Sequence, residues 1–336
     1  MQERHFLTSM TRISDLDDRR FEVGPVERDR WETGDYVSVE VLTTSSGQRI
    51  ELSSGRQIEV AAGDLAVGAF GRREATQEAT GDWREIGEDG RLEFLTGAGL
   101  LGRCTSKSMV LPTITSARYR GHVLRDGEKV RMADCVDPAP DRSFDLPVVL
   151  VIGTSMSAGK TTAARIVIRE LRAEGLDVVG AKITGAGRYA DVLSMRDAGA
   201  DAVYDFVDAG LPSTVCPTET YREALEGLLA RIADAVPDVA VVEVGASPLE
   251  PYNGEAAIER IRDAVRYTIL CASDPYSVVG VMTAYDARPS LVTGIATNTR
   301  AGVRLVEELT GVPALNVRAR SARPKLRERL LQRLGL

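Results

Sequence analysis

Histidine is nearly missing from this chain of 336 residues: His5 and His122 are the only two. Cysteine is scarce as well. Cys104, Cys135, Cys216 and Cys271 stand far apart and form no C-x-x-C pair. Those shortages argue against a zinc site and against a Cys–His nucleophile, and each cysteine reads as a small buried hydrophobe. Long apolar runs are absent too; none approaches the roughly 20 residues that span a bilayer. The first residues, MQERHFLTSMTRISDLDDRR, lack the apolar core of a signal peptide, so the expectation is a cytoplasmic protein without a membrane anchor. Nor is there a strong charge bias. Lys and Arg number 42 against 49 Asp and Glu, a formal net charge of −7, which gives no global attraction to nucleic acid. The chemistry is left to Lys, Arg, Asp, Glu, Thr and backbone amides. Length and a hydrophobic content of 43% allow two domains with proper cores.

What is present centres on 146–165, LPVVLVIGTSMSAGKTTAAR. An apolar run, Val148 to Ile152, leads into Gly153, Thr154, Ser155, Met156, Ser157, Ala158, Gly159, Lys160, Thr161 and Thr162, and a helix-forming run follows. Strand, glycine-bounded loop and helix in that order make a phosphate loop. Its backbone N–H groups wrap phosphate oxygens, and the helix turns its positive end toward the same anion. Lys160 would reach the outer phosphates and the Thr161 hydroxyl would ligate Mg²⁺. One departure stands out: in G-x-x-x-x-G-K-[ST] the first glycine position is held here by Thr154, with Gly153 one residue earlier. The competing reading is a glycine-rich turn with Lys160 in solvent.

Around this stretch the chain changes texture. Residues 1–30 are charged and aperiodic, and read as a partly ordered arm. From 31 to 140 the pattern is β. Tyr36–Leu42, Gln48–Leu52 and Gln57–Val60 alternate, and short strands are expected at 65–70, 91–95, 119–124 and 129–132. Strands so short and close suggest a small all-β barrel or sandwich. Two glycine clusters, 68–76 and 97–108, read either as barrel corners or as a lid in which Arg72, Arg73, Arg103 or Lys107 meets an anion. The Pro-rich segment 137–141 marks the boundary. From 141 to 317 strands and helices alternate, the mark of an α/β, mostly parallel, Rossmann-like sheet covered on both faces. Strands are expected at 177–182, 239–243, 267–271, 290–296 and 314–317, with helices at 159–174, 218–235, 254–264 and 300–310. The end, 318–336, is basic, with Leu326, Leu330, Leu331 and Leu334 at helical spacing. It reads as an amphipathic helix with a solvated basic face, or as a contact for a charged partner.

In such sheets ligands bind beyond the carboxyl ends of the strands. Lys182 ends one strand and offers a second cation for charge stabilisation; otherwise it is a solvated lysine. Glu243 ends another, as a magnesium ligand or a base for a hydroxyl, and a buried carboxylate there is costly without a partner. Asp191, Asp201 and Asp205 lie between, and at least one is expected to join Thr161 and Glu243 at the metal. Asn298 follows a late strand and offers a donor and an acceptor to a base edge, or caps the next helix.

The loop GTSMSAGKT, then VVGAKITGAG, VVEVGAS and TGIATNTR, occur in the order seen in dethiobiotin synthetase, which this region resembles. The resemblance implies a P-loop NTPase fold. It implies phosphate contact for Lys160, substrate or phosphate contact for Lys182, metal contact for Thr161 and Glu243, and an adenine contact for Asn298. The segments AGADAVYDFVDAG, VVEVGASPLEPYNG and TGIATNTRAGVRLVEELTGVPALNV are similar to another P-loop family, the one that includes D-glutamate N-acetyltransferases. Both likenesses cover roughly 146–317 and leave the β-rich region aside.

The expectation is an enzyme using ATP and Mg²⁺, a kinase or ligase acting on a carboxylate or hydroxyl of a small amino-acid-like metabolite. Gly153, Thr154, Ser155, Ser157, Ala158, Gly159, Lys160, Thr161, Thr162 and Asn298 would bind the nucleotide. Thr161, Glu243, Asp205 and Asp191 would surround the metal, and Lys160, Lys182, Glu243 and Asp205 would carry the chemistry. The alternatives are acyl transfer from acetyl-CoA and a nucleotide-dependent dimeric switch. A homodimer is expected, without membrane or nucleic-acid partners.

Overall fold

The computed structural model describes residues 4–45, 47–285 and 288–336. Residues 1–3 of the expected arm lie outside them. The chain divides into two compact units. One comprises Met1–Pro138 with Ala186–Ala190 and Phe206–Pro217; the other comprises Ala139–Gly185, Asp191–Asp205 and Thr218–Leu336.

In the first unit a ten-stranded sheet closes on itself. Leu65–Phe70 pairs with Tyr36–Thr43, which pairs with Ser116–Arg125, then Arg91–Phe94, then Leu100–Lys107, which returns to Leu65–Phe70. The β-rich region is therefore a barrel rather than a sandwich. Alternating residues Val37, Val39, Val41, Ala66, Leu92, Phe94 and Leu101 fill it. The charged arm is woven in: His5–Leu7 runs parallel to Leu65–Val67, and Glu22–Gly24 runs antiparallel to His122–Leu124. Those strands are too short to show a period in sequence.

The glycine clusters are wall rather than lid. Gly99 has φ +90°, and a Cβ there would lie 2.0 Å from Thr8 Oγ1. The cations once set against an anion are engaged inside the unit. Arg72 pairs with Asp82 at 2.8 Å, and Arg73 donates to Leu95 O at 2.7 Å and pairs with Glu78. Arg103 donates to Arg91 O at 3.1 Å, and Lys107 to Leu111 O at 2.9 Å. Glu51, buried, accepts from Ser9 Oγ at 2.6 Å and from the amides of Tyr189 and Ala190 at 2.7 and 2.9 Å.

The second unit carries β1 (Val148–Gly153), α1 (Lys160–Arg172), β2 (Val178–Thr184), α2 (Tyr189–Arg196) and β3 (Ala202–Asp205). Then come α3 (Thr218–Asp234), β4 (Val239–Val244), α4 (Gly254–Ile261), β5 (Val265–Ala272), α5 (Pro275–Tyr285), β6 (Leu291–Gly294), α6 (Arg300–Thr310) and α7 (Arg323–Leu334). Helix α2 starts within the first unit and ends in the second. The sheet order is β3-β2-β4-β1-β5-β6, parallel throughout. β1 and β4 sit in its middle and are buried end to end, which is why their sequences are continuous apolar runs. Ala163, Ala164, Val167, Ile168 and Leu171 of α1 pack in one core with Leu326 and Leu330 of α7.

In this unit α2, β3 and α5 were not read from sequence. The strand expected at 314–317 is a single parallel bridge between Ala314 and Val292. Among the four cysteines only Cys271 is buried; the other three are half-buried. Among the described residues no helix is long and apolar enough to cross a membrane.

Candidate functional site

The carboxyl end of β1 delivers the chain to the loop 154–159. Gly153 matters for space: a Cβ there would stand 2.9 Å from Lys160 Nζ. The lysine thus lies folded back over its own loop, and Nζ donates to Ser155 O at 2.8 Å. Gly159 takes φ +103°, a left-handed turn that glycine adopts without strain, and α1 begins at Lys160 with no side-chain cap. The first amides of a 13-residue helix are therefore left for an anion. Ser155 and Ala158 are buried along the loop, while Ser157 and Thr162 are exposed.

Three strands bring side chains to this end of the sheet. Lys182 of β2 is in register with Glu243 of β4 on one side and Asp205 of β3 on the other. Lys182 is 6% exposed, Asp205 0% and Glu243 3%. Thr161 Oγ1 donates to Glu243 Oε1 at 3.4 Å, and Lys182 Nζ pairs with Asp191 Oδ2 at 2.6 Å. Gly245, just past β4, lets the backbones close up: a Cβ would stand 2.1 Å from Thr184 O. Thr184 Oγ1 donates to Gly245 O at 3.2 Å.

Burial and charge set the protonation of these groups. Burial pushes the Lys160 ammonium below its ordinary value, partly opposed by Glu243. For Lys182 burial also pulls downward, but Asp191, Glu243 and Asp205 together hold it above. Glu243 is raised, first by burial and then by Asp191, against the pull of Lys182 and Lys160. Its Oε2 is buried with no hydrogen-bond partner. A buried carboxylate oxygen left in that state is costly and fits a cation.

Thr161, Glu243, Lys182, Asp191 and Asp205 gather at the same end of the sheet. Asp191 faces Lys182 as an ion-pair partner. Among the described residues, no three His, Cys, Asp or Glu side chains form a metal-binding group, so the three expected carboxylates Glu243, Asp205 and Asp191 do not converge as a cage. Asn298 is exposed beyond β6, after the short turn Ile295–Thr297. It is not the cap of α6; Thr299 is, accepting Gly302 N at 3.0 Å. The turn is held close to the loop, since a Cβ on Gly294 would stand 2.4 Å from Ala158 O.

Sequence reasoning missed Ser273 and Asp274. Thr154 Oγ1 accepts from Ser273 N at 3.1 Å and lies 3.2 Å from Ser273 Oγ. The rule that polar residues just past each strand face the site would have found them, because they follow β5 directly.

Residues 136–285 match the family described as "Domain of unknown function (DUF1611_C) P-loop domain". The match covers less than half of the chain and runs from before β1 to the end of α5. No curated protein matches the chain. Among solved structures, the signal recognition particle receptor FtsY of Elizabethkingia anophelis is similar at 18% identity and a TM-score of 0.34, over 52% of this chain and 59% of that one. The same receptor in complex with GDP gives 16%, a TM-score of 0.37, and 52% and 57%. HypB of Helicobacter pylori in complex with nickel gives 14%, a TM-score of 0.38, and 57% and 88%. The chain thus spans about 59% of the length of the first of these relatives. The second unit is a P-loop domain built on a parallel sheet, preceded by a β-rich domain.

Proposed function

We propose that this protein binds a nucleoside triphosphate with Mg²⁺ and transfers its terminal phosphoryl group to a carboxylate or hydroxyl of a small amino-acid-like molecule. The observation that carries the reading is Glu243: a buried carboxylate with one partnerless oxygen, within reach of Thr161 at the mouth of an uncapped helix. A cation beside phosphate answers that oxygen. Acyl transfer from acetyl-CoA, the rival drawn from the second resemblance, would leave it unanswered.

In this reading the loop amides and Lys160 hold the outer phosphates, and Asn298 meets the base. Thr161 and Glu243 would hold Mg²⁺, which supplies charge neutralisation across the phosphates. Lys182, kept charged by its carboxylate neighbours, sits ready to neutralise the oxygens of the transferring group. Asp191 orients that lysine, and Asp205 flanks it. The acceptor oxygen bonds to the terminal phosphorus while the bridging oxygen leaves with the nucleoside diphosphate. A carboxylate acceptor has no proton to lose and needs no base; a hydroxyl acceptor would pass its proton to an oxygen of the transferred phosphoryl group. Positioning and charge supply most of catalysis in such transfers.

The test is thermal denaturation of the full chain with ATP, GTP and acetyl-CoA, each with and without Mg²⁺. Ligand at about 100 times its Kd adds roughly 2.7 kcal/mol of stability. Stabilisation by a triphosphate that needs Mg²⁺ and vanishes in Lys160→Ala supports the reading. Stabilisation by acetyl-CoA alone, or an unchanged response in Lys160→Ala, overturns it.

A further inference from the structure

Thr154 stands where a phosphate loop ordinarily has glycine. The substitution brings a hydroxyl and a β-branched side chain to a place that usually has neither. The space-saving task of that glycine has moved one residue back, to Gly153, which admits the Lys160 side chain. That frees position 154 for another purpose, and the contacts show which.

The backbone of Thr154 donates to Cys271 O at 2.9 Å, at the end of β5. Its hydroxyl oxygen accepts from Ser273 N at 3.1 Å and lies 3.2 Å from Ser273 Oγ. Ser273 Oγ in turn donates to Asp274 Oδ2 at 3.3 Å. Asp274 Oδ1 accepts the amides of Tyr276 and Ser277, each at 2.9 Å, and so fixes the first turn of α5. Burial raises the Asp274 carboxyl, but these amides and hydroxyls outweigh it and hold it below the ordinary value. On the other flank Gly294 lies against Ala158. The loop is thus held at its start by β5–α5 and near its end by β6.

We propose that Thr154 is a positioning residue of the phosphate loop, which it holds in its anion-binding shape by anchoring it through Ser273 to the turn that opens α5. The proposal rests on the phosphate-loop reading above. The physical reason is pre-organisation. A loop whose amides already point inward loses little freedom when phosphate arrives, and its affinity rises accordingly. Glycine at this place would give up the anchor and add backbone freedom. The anchor also makes the β5–α5 turn part of the phosphate site, although none of its side chains touches phosphate in this reading.

The experiment is calorimetric titration of the full chain with ATP and Mg²⁺, with Lys160→Ala as control. Thr154→Val keeps the shape and removes the hydroxyl; Thr154→Ser keeps the hydroxyl; Thr154→Gly restores the ordinary pattern. We expect Thr154→Val and Thr154→Gly to weaken binding about tenfold, and Thr154→Ser to stay within about twofold, at similar melting temperatures. A merely structural role would lower the melting temperature and leave Kd alone, and that result overturns the proposal. So does Thr154→Val binding like the unaltered chain while Lys160→Ala does not bind. If Lys160→Ala binds normally, the phosphate-loop reading falls and takes this one with it. Should Thr154→Val fail to fold, hydrogen exchange at the Ser273 amide of the unaltered chain decides. Slow exchange that slows further with ATP and Mg²⁺ supports the anchor; fast exchange in both conditions overturns it.

Discussion

Lys182 Nζ lies 2.6 Å from Asp191 Oδ2, and Asp205 and Glu243 stand beside the same lysine on the neighbouring strands. One buried ammonium thus meets three carboxylates. These carboxylates outweigh the burial that pulls the lysine downward and hold it above its ordinary value. A folded-state pKa raised for a lysine is stabilising below its ordinary value, about 10.5, and that stabilisation fades as pH rises through the folded value.

Asp191→Asn removes the close partner and leaves Lys182 buried. Breaking one side of a buried pair costs about 3–5 kcal/mol, and the two remaining carboxylates favour the lower end. Urea unfolding of the full chain at pH 7 should show a stability loss of about 3 kcal/mol with an unchanged slope. A loss below about 0.5 kcal/mol, typical of exposed pairs, would mean that the pair is solvated.

Glu243→Gln runs the other way. The Glu243 carboxyl is raised, so the fold binds its proton more tightly than the unfolded chain does. The residue favours folding below about 4.5, its ordinary value, and costs stability as pH rises through its folded value. Removing the charge should raise the urea midpoint at pH 7 and leave little difference below pH 4.5. In the proposed function the same change weakens binding of a triphosphate with Mg²⁺. Stability gained and affinity lost together would mark a carboxylate kept for a cation rather than for the fold.

The strand, loop and α1 were legible because their signal is local: a buried strand, two glycines and Lys160-Thr161 follow one another within a few turns. Strand ends supplied Lys182 and Glu243 by the same logic. What escaped depends on partners far along the chain. Lys182 and Asp191 meet only once α2 is placed, and α2 is eight residues with little sidedness. Helix α5, PYSVVGVMTAY, carries no charge and is rich in β-branched residues, so its sequence has no polar face to betray a helical period. In the barrel, Leu100–Lys107 contains Gly102 and breaks its alternation, so it reads as a barrel corner or a lid rather than as a strand. Gly102 is needed there because a Cβ would stand 2.9 Å from the backbone of Asp82 and Trp83.

The basic end separates packing from charge. Leu326 and Leu330 are fully buried in the core of the second unit, while Arg327 reaches Glu170 at 2.8 Å and Glu174 at 2.8 Å. Burying a leucine contributes about 1.5–3 kcal/mol, so Leu326→Ala and Leu330→Ala should each lower stability by at least 2 kcal/mol or so. Arg327→Ala should move the urea midpoint far less. Equal losses from the arginine and the leucines would show that the ion pairs, not the apolar face, hold α7.

Glu51 offers the sharpest test within the barrel unit. Its carboxylate, 2% exposed, accepts from Ser9 Oγ and from the amides of Tyr189 and Ala190. Hydrogen bonds to a charged group contribute about 1.5–3 kcal/mol each, and they do not add fully when they share one acceptor. Glu51→Ala strands all three donors, so a stability loss of about 3 kcal/mol or more is expected. Glu51→Gln keeps the shape and one carbonyl oxygen, losing the charge and turning a donor toward donors. Its loss should fall between the alanine variant and the unaltered chain. Denaturant unfolding ranks the three. If Glu51→Gln is as damaging as Glu51→Ala, the negative charge itself, meeting the positive end of the 189–190 amides, outweighs the geometry of the acceptor.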